Sequence, residues 1–217
     1  MINALCSAKA NPNQTGSNGA TPLVLAASQG RANVVQDLIT NFGSELDQTA
    51  VTDRNCTALY LACQDGRADI VEMLVNNSSD AVEICRDGGV SPLYIASHDG
   101  HLECVQLLLK AKAFVDSAND AGATPLYIAV QKNHPEICAA LLAAGGNPNC
   151  VTKKNSKPLT IAVFHCHSNI VSQLLAAGAA IDSTSGDEDN TPLMLAAISL
   201  DVDIMCQLIL HGASLNK

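Results

Sequence analysis

The feature that most constrains this chain is a short motif that returns about every 33 residues. The motif is Thr-Pro-Leu or a close variant, and the intervals between its six copies are 36, 34, 33, 33 and 34 residues. The copies are Thr21-Pro22-Leu23, Thr57-Ala58-Leu59, Ser91-Pro92-Leu93, Thr124-Pro125-Leu126, Lys157-Pro158-Leu159 and Thr191-Pro192-Leu193. So regular a period indicates a chain of repeated units that stack on one another.

Other residue types recur at fixed distances after each copy of the motif, and they predict the structure of each unit. A leading Thr or Ser can cap the backbone N–H groups of a helix, and Pro suits the first helical position. An Ala five residues on and a Leu seventeen residues on belong to two apolar stripes at helical spacing. Gly or Asn nine residues after four of the copies suits a left-handed helix end. Each unit is therefore predicted as helix, tight turn, helix and polar loop.

Composition supports a helical stack. Aromatic residues make up 3% of the chain and Trp is absent, so the core must be built from Leu, Ile, Val and Ala, which argues against an all-β domain. The 47% hydrophobic content excludes disorder from a lack of core residues. No apolar run approaches the roughly 20 residues of a membrane span, and no secretory signal is visible. Nine cysteines without a C-x-x-C pair favour reduced thiols in the cytoplasm or nucleus.

Charge and motifs exclude several classes of function. The net charge of −9 disfavours nucleic acid and anionic membranes as partners. The sequence carries no P-loop, no G-x-S-x-G and no H-E-x-x-H, so neither an enzyme nor a cofactor is expected. His165-Cys166-His167 is the nearest approach to a metal motif, but a repeat turn explains it better, so no metal site is predicted. Cys104 and Cys138 lie on an apolar stripe and are expected in the core, whereas Cys56 and Cys150 are expected in loops.

Residues 123–149, ATPLYIAVQKNHPEICAALLAAGGNPN, resemble the ankyrin repeat, and the same pattern covers nearly the whole chain. The resemblance implies an all-α repeat solenoid, a helix-turn-helix stack with β-hairpin or loop fingers on one side and inner helices lining a concave groove. We expect a single array over residues 1–217. Its predicted parts are a half repeat at 1–15 and six repeats at about 16–51, 52–85, 86–118, 119–151, 152–185 and 186–217.

The resemblance also implies a function. Ankyrin arrays are typically non-enzymatic protein–protein interaction modules, acting as adaptors or scaffolds, and we expect a monomeric array with a protein partner. The alternative is a substrate-recognition domain of a larger protein, such as a ubiquitin-ligase adaptor. The array opens on half a repeat and closes on an internal type of ending without the polar face of a capping repeat, so we expect the chain to be a fragment of a longer protein.

Candidate binding residues follow from the geometry of the family, in which the residues seven and eight after each motif face the groove. Those residues and the tyrosines three after three of the motifs give Tyr60, Gln64, Asp65, Tyr94, His98, Asp99, Tyr127, Gln131, Lys132, Phe164, His165 and Ile198. The tyrosines could be an aromatic row facing a ligand, but packing between repeats is favoured. Phe164 and Ile198 could form an apolar interface, or another part of the protein could cover them.

The predicted finger tips carry charge. The candidates are Arg54, Asp87, Lys153, Lys154, Asp187 and Glu188. Finger five is basic and finger six is acidic. A charge match between neighbouring loops is favoured over a docking site for a charged peptide.

Overall fold

The computed structural model describes residues 11–185 and 190–215, and within these ranges it holds twelve α-helices. They are α1 Pro22–Ser28, α2 Ala32–Phe42, α3 Ala58–Gln64, α4 Ala68–Asn77, α5 Pro92–Asp99, α6 Leu102–Lys110, α7 Pro125–Gln131, α8 Pro135–Ala143, α9 Pro158–Phe164, α10 Ser168–Ala176, α11 Pro192–Ile198 and α12 Val202–Leu210. A short 3-10 helix, Gly43–Glu45, follows α2. The helices confirm the predicted all-α class.

The chain divides into two compact units, Met1–Phe114 and Val115–Lys217. In unit 1 the short helices α1, α3 and α5 pack side by side, and α2, α4 and α6 form a second layer behind them. In unit 2, α7, α9 and α11 form the first layer and α8, α10 and α12 the second. We call the first helix of each pair the inner helix. None of the described helices is long and apolar enough to cross a membrane.

Five of the six inner helices begin at a side-chain cap. The hydroxyl oxygens of Thr21, Thr57, Ser91, Thr124 and Thr191 each accept a hydrogen bond from the N–H three residues on, at 3.0 to 3.4 Å. All five caps are buried, so each satisfies a backbone donor that water cannot reach. Lys157 is the exception, as its ammonium donates to Thr184 O at 2.6 Å instead.

A left-handed residue follows or closes every inner helix. Gly30, Gly66, Gly100, Asn133, Cys166 and Leu200 have φ between 57° and 84°. The N–H of the next residue then donates to the carbonyl of the recurring Ala, at 2.9 to 3.1 Å in all six units. This bond explains the fixed four-residue interval between Ala and the left-handed residue. Cys166 and Leu200 adopt this conformation with a Cβ, which costs about 1–2 kcal/mol relative to glycine.

The fingers take the loop form of the predicted β-hairpin or loop fingers. In the described residues they are tight turns with two isolated antiparallel bridges, Arg86 with Val90 and Ser185 with Asn190, and no continuous strand forms. Neighbouring fingers are still joined through the backbone. Asp53 N–H donates to Asn18 O at 3.1 Å in unit 1, and the corresponding bond from Lys153 to Ala121 in unit 2 is 2.9 Å. The fingers therefore keep a fixed spacing without a sheet.

Leu200 offers a test of the backbone strain. Its side chain is 82% exposed and its φ is 57°. Leu200→Gly should raise the free energy of unfolding in urea by about 0.5–1 kcal/mol, because glycine tolerates this conformation. Leu200→Ala removes the same exposed side chain but keeps the Cβ, so it should give no gain. Equal stabilisation by both variants would contradict the strain.

Candidate protein-binding surface

In unit 1 the C-terminal ends of the inner helices carry exposed polar side chains. Gln64 and Asp65 end α3, and Asp99 ends α5; all three are exposed. His98 is half-buried, and its ring Nδ1 lies 2.6 Å from the Asp99 carboxylate. Because every inner helix ends the same way, these side chains occupy equivalent places along one face of the unit.

In unit 2 the same helix ends carry two large apolar side chains among polar ones. Phe164 is 63% exposed at the end of α9, and Ile198 is 72% exposed at the end of α11. Gln131, Lys132 and His165 are exposed as well. A mixture of exposed apolar anchors and a polar surround is the usual composition of a protein interface.

The Phe164 ring belongs to a short stack of rings. It meets His165 edge-on, with ring centroids 5.1 Å apart and planes at 84°. His165 stacks on His167 at 5.5 Å, and His167 Nδ1–H donates to Val130 O at 2.9 Å. These contacts connect the exposed Phe164 ring to the end of the preceding inner helix. They limit its rotamer freedom, which lowers the entropic cost of using it in binding.

Burial lowers the pKa of His167, and the neighbouring His165 lowers it further, although the Val130 carbonyl opposes the shift. The folded chain therefore favours neutral His167. Because His167 Nδ1–H donates its hydrogen bond to Val130 O, His167 stabilises the packing of the helices and is not part of the exposed surface.

All three tyrosines are buried, which agrees with the favoured packing interpretation and not with the alternative of an aromatic row facing a ligand. Tyr60 is 0% exposed, and Tyr94 and Tyr127 are each 8% exposed. Tyr127 donates its hydroxyl hydrogen to Ser156 Oγ at 3.0 Å, which matches the favoured packing interpretation. Tyr60 Oη is buried and lacks a hydrogen bond of good geometry, and it interacts with the Arg86 guanidinium. All three rings contribute to the core.

The finger residues are only partly described. Arg54, Lys153 and Lys154 are exposed, and none of them forms a salt bridge within residues 11–185 and 190–215. Asp87 accepts a hydrogen bond from Asn55 Nδ2 at 2.6 Å, which joins two fingers of unit 1. Asp187 and Glu188 lie outside the described residues. The predicted charge match between fingers five and six stays a prediction.

The thiols are mostly core groups. Burial raises the pKa of Cys104 to about 11 and that of Cys138 to about 12, so both expectations of core packing are confirmed. Cys56 and Cys150, expected in loops, are also buried. In the described part of the chain, no group of three His, Cys, Asp or Glu side chains could hold a metal ion.

Sequence reasoning missed Arg86. It stands five residues before its motif, where other fingers have Thr52, Asn119 or Thr152, whose side chains accept hydrogen bonds from the turn's own backbone N–H groups. Arginine has no acceptor. Its side chain therefore leaves the turn, reaches Tyr60 and lines a cavity of unit 1. The departure from the repeat pattern at this position was the available signal.

The comparisons with known proteins agree with this architecture. The family model for ankyrin repeats matches three times, over residues 1–84, 80–152 and 140–217. The chain belongs to the ankyrin repeat family, and the predicted ankyrin-type solenoid is confirmed. Among curated proteins, none matches the sequence significantly.

Many solved structures are similar to this chain, and two ankyrin repeat domains illustrate the match. The ankyrin repeat domain of human ASB11 is 29% identical with a TM-score of 0.76, and the match covers 91% of this chain and 86% of that one. An ankyrin repeat domain from Acinetobacter baumannii AYE is 26% identical with a TM-score of 0.82, covering 89% and 98%. Ankyrin repeat domains are generally protein–protein interaction modules.

His167 predicts a pH dependence of stability. Its pKa is lower in the folded chain than in the unfolded chain, so the unfolded state binds more protons below about pH 6.5. The contribution of neutral His167 to the free energy of unfolding is complete above that pH and is lost as the pH falls toward the pKa of the folded chain. His167→Asn keeps a donor for Val130 O but cannot titrate. Its free energy of unfolding should fall less than that of the wild type between about pH 7.5 and 5.5. Identical pH profiles would contradict the shift.

Thiol accessibility gives a second prediction. Cys63, Cys104 and Cys138 are buried and have raised pKa values, whereas Cys166 and Cys206 are exposed. Iodoacetamide should alkylate the exposed pair in the native protein and the buried three only after unfolding, since the thiolate is the nucleophile. Peptide mass spectrometry measures each site. Alkylation of Cys138 at the rate of Cys166 would contradict the packing.

Proposed function

We propose that this chain is a non-enzymatic protein-binding module that serves as an adaptor or scaffold. The binding surface in each unit consists of the inner-helix ends and the adjoining fingers. The observation that carries the proposal is the sharp change in exposure along each inner helix. In α9, Leu159 and Ala162 are at most 1% exposed, whereas Phe164 is 63% exposed. The framework therefore buries one set of positions and leaves the other for recognition.

The contact residues are the predicted set without its three buried tyrosines. They are Gln64, Asp65, His98, Asp99, Gln131, Lys132, Phe164, His165 and Ile198 on the helix ends, and Arg54, Asp87, Lys153, Lys154, Asp187 and Glu188 on the fingers. Tyr60, Tyr94 and Tyr127 pack in the core beneath this surface and do not contact the partner. Phe164 and Ile198 are the anchors, since a few large apolar side chains usually dominate the free energy of binding.

The proposal also covers the oligomeric state, the cellular location and the class of partner. The chain acts as a monomer in the cytoplasm or nucleus. The location is supported by the eight cysteines of the described residues, none of which forms a disulfide. Its partner is a protein rather than a nucleic acid, which the net charge of −9 supports. A role as the substrate-recognition domain of a larger protein would use the same surface.

The test is affinity capture from cell extract with the immobilised wild type and two variants. Phe164→Ala/Ile198→Ala should lose the main captured protein by at least about tenfold, because both anchors are removed. Leu210→Ala is the matched control, since Leu210 is 84% exposed but belongs to α12, in the second layer of helices. It should capture as the wild type does. Circular dichroism checks that all variants are folded.

Unchanged capture by the double variant, with loss in Leu210→Ala, would contradict the assignment of the surface to the inner helices. Capture of nothing above the level of bare resin by the wild type would contradict the binding function itself.

A further inference from the structure

A cavity in unit 1 is lined by three neighbouring fingers and by the inner helices α1 and α3. Its volume is about 500 Å³. Its walls include Leu25 and Leu61 from the helices and Asp53, Arg54 and Arg86 from the fingers. Leu25 is 43% exposed and Leu61 is half-buried, so apolar surface faces solvent inside a concave site. Exposed apolar surface beside convergent charged groups is the usual composition of a binding pocket.

The cavity carries a positive charge. Arg54 and Arg86 contribute two guanidinium groups and Asp53 one carboxylate, and neither arginine forms a salt bridge within the described residues. The net charge of +1 suits a single carboxylate. A phosphate dianion would leave an excess negative charge beside Asp53. Guanidinium groups bind carboxylates with paired, charge-assisted hydrogen bonds.

The side chain of Arg86 reaches the buried Tyr60 at the back of the cavity. Its guanidinium interacts with the hydroxyl of Tyr60, which is fully buried at the start of α3. Without Tyr60 the long arginine side chain would lose its rotamer freedom only on binding, and that entropic cost would weaken binding. Tyr60 therefore acts as a positioning residue and does not touch the ligand.

The cavity opens onto the proposed binding surface. Ser28 and Gln64, which are exposed at the ends of α1 and α3, also line it. An extended peptide that crosses these helix ends could place consecutive side chains inside, while the Ser28 hydroxyl and Gln64 amide meet its backbone. The cavity is thus continuous with the surface assigned under the proposed function.

We propose that this cavity binds an acidic side chain and a neighbouring apolar side chain from an extended segment of a partner protein. The carboxylate lies between Arg54 and Arg86, and the apolar side chain lies against Leu25 and Leu61. The inference rests on the proposed protein-binding function and adds the chemistry of the segment that unit 1 recognises.

The probe is a phage-displayed library of random dodecapeptides selected against the whole protein. Enriched peptides should carry Asp or Glu next to Leu, Ile, Val, Phe or Met. The strongest peptide is then synthesised, and its dissociation constant is measured by calorimetry. Arg86→Gln or Arg54→Gln in the protein, or replacement of the peptide's acidic residue by its amide, should each weaken binding at least tenfold.

Three further variants make the result specific. Arg31→Gln removes an exposed arginine of the same unit that does not line the cavity, and it should change the dissociation constant less than twofold. Tyr60→Phe keeps every lining residue and should weaken binding by two- to fivefold. Combined with Arg86→Gln, Tyr60→Phe should have no further effect, which a merely structural loss would not produce. Arg54 lies on an exposed finger, so Arg54→Gln keeps the test valid if Arg86→Gln does not fold.

Several outcomes would overturn the proposal. These are enrichment of peptides without an acidic residue, binding that tolerates both arginine variants, tighter binding of a phosphoserine analogue, or no enrichment at all. A pocket that fails in this way leaves the proposed function standing if the Phe164 and Ile198 variant in unit 2 still loses its captured protein. If the pocket proposal fails and the Phe164 and Ile198 variant also keeps its captured protein, both the pocket proposal and the proposed function are contradicted.

Discussion

The constraint on which the rest of this structure depends is that no helix here can be stable alone. The twelve described helices are 7 to 11 residues long, and isolated helices shorter than about 12 residues are marginal in water. Each helix pair is stabilised by burying Leu and Ala against its neighbours within the unit, as with Leu59, Leu93 and Ala62, which are at most 1% exposed. Packing therefore requires the same types of residue at the same positions of every repeat.

That constraint also explains where the chain is free to vary. The recurring Ala and the Leu twelve residues after it are buried in every pair, and the cap is buried in five of the six, whereas the residues at the helix ends contact little of the chain. Eight residues after the motif, unit 1 has Asp65 and Asp99 where unit 2 has Lys132 and His165, so equivalent places differ in charge and size. A fold that tolerates such differences at fixed positions provides a rigid base for a specific binding surface.

The sequence predicts much of the fold because its signals are local and repeated. Thr caps such as Thr57, the left-handed Asn133 and the core positions of Cys104 and Cys138 all follow from the motif. The binding surface is less predictable, since exposure depends on what a side chain packs against. Tyr60 has the polar tip of a surface anchor but lies fully buried, and Arg86 becomes visible as a cavity residue only when the path of its finger is known. Neither contact is encoded by spacing along the chain.

The central claim is that the framework and the recognition surface are separate sets of residues. The most direct measurement is the free energy of unfolding of a variant with Gln64, Asp65, Asp99, Gln131 and Lys132 all replaced by Ala, set against Leu126→Ala. Leu126 is 0% exposed, so its truncation should cost about 2–5 kcal/mol. The five surface changes together should alter stability by less than about 1 kcal/mol, because exposed substitutions have small effects. A loss as large as that of Leu126→Ala would contradict the separation.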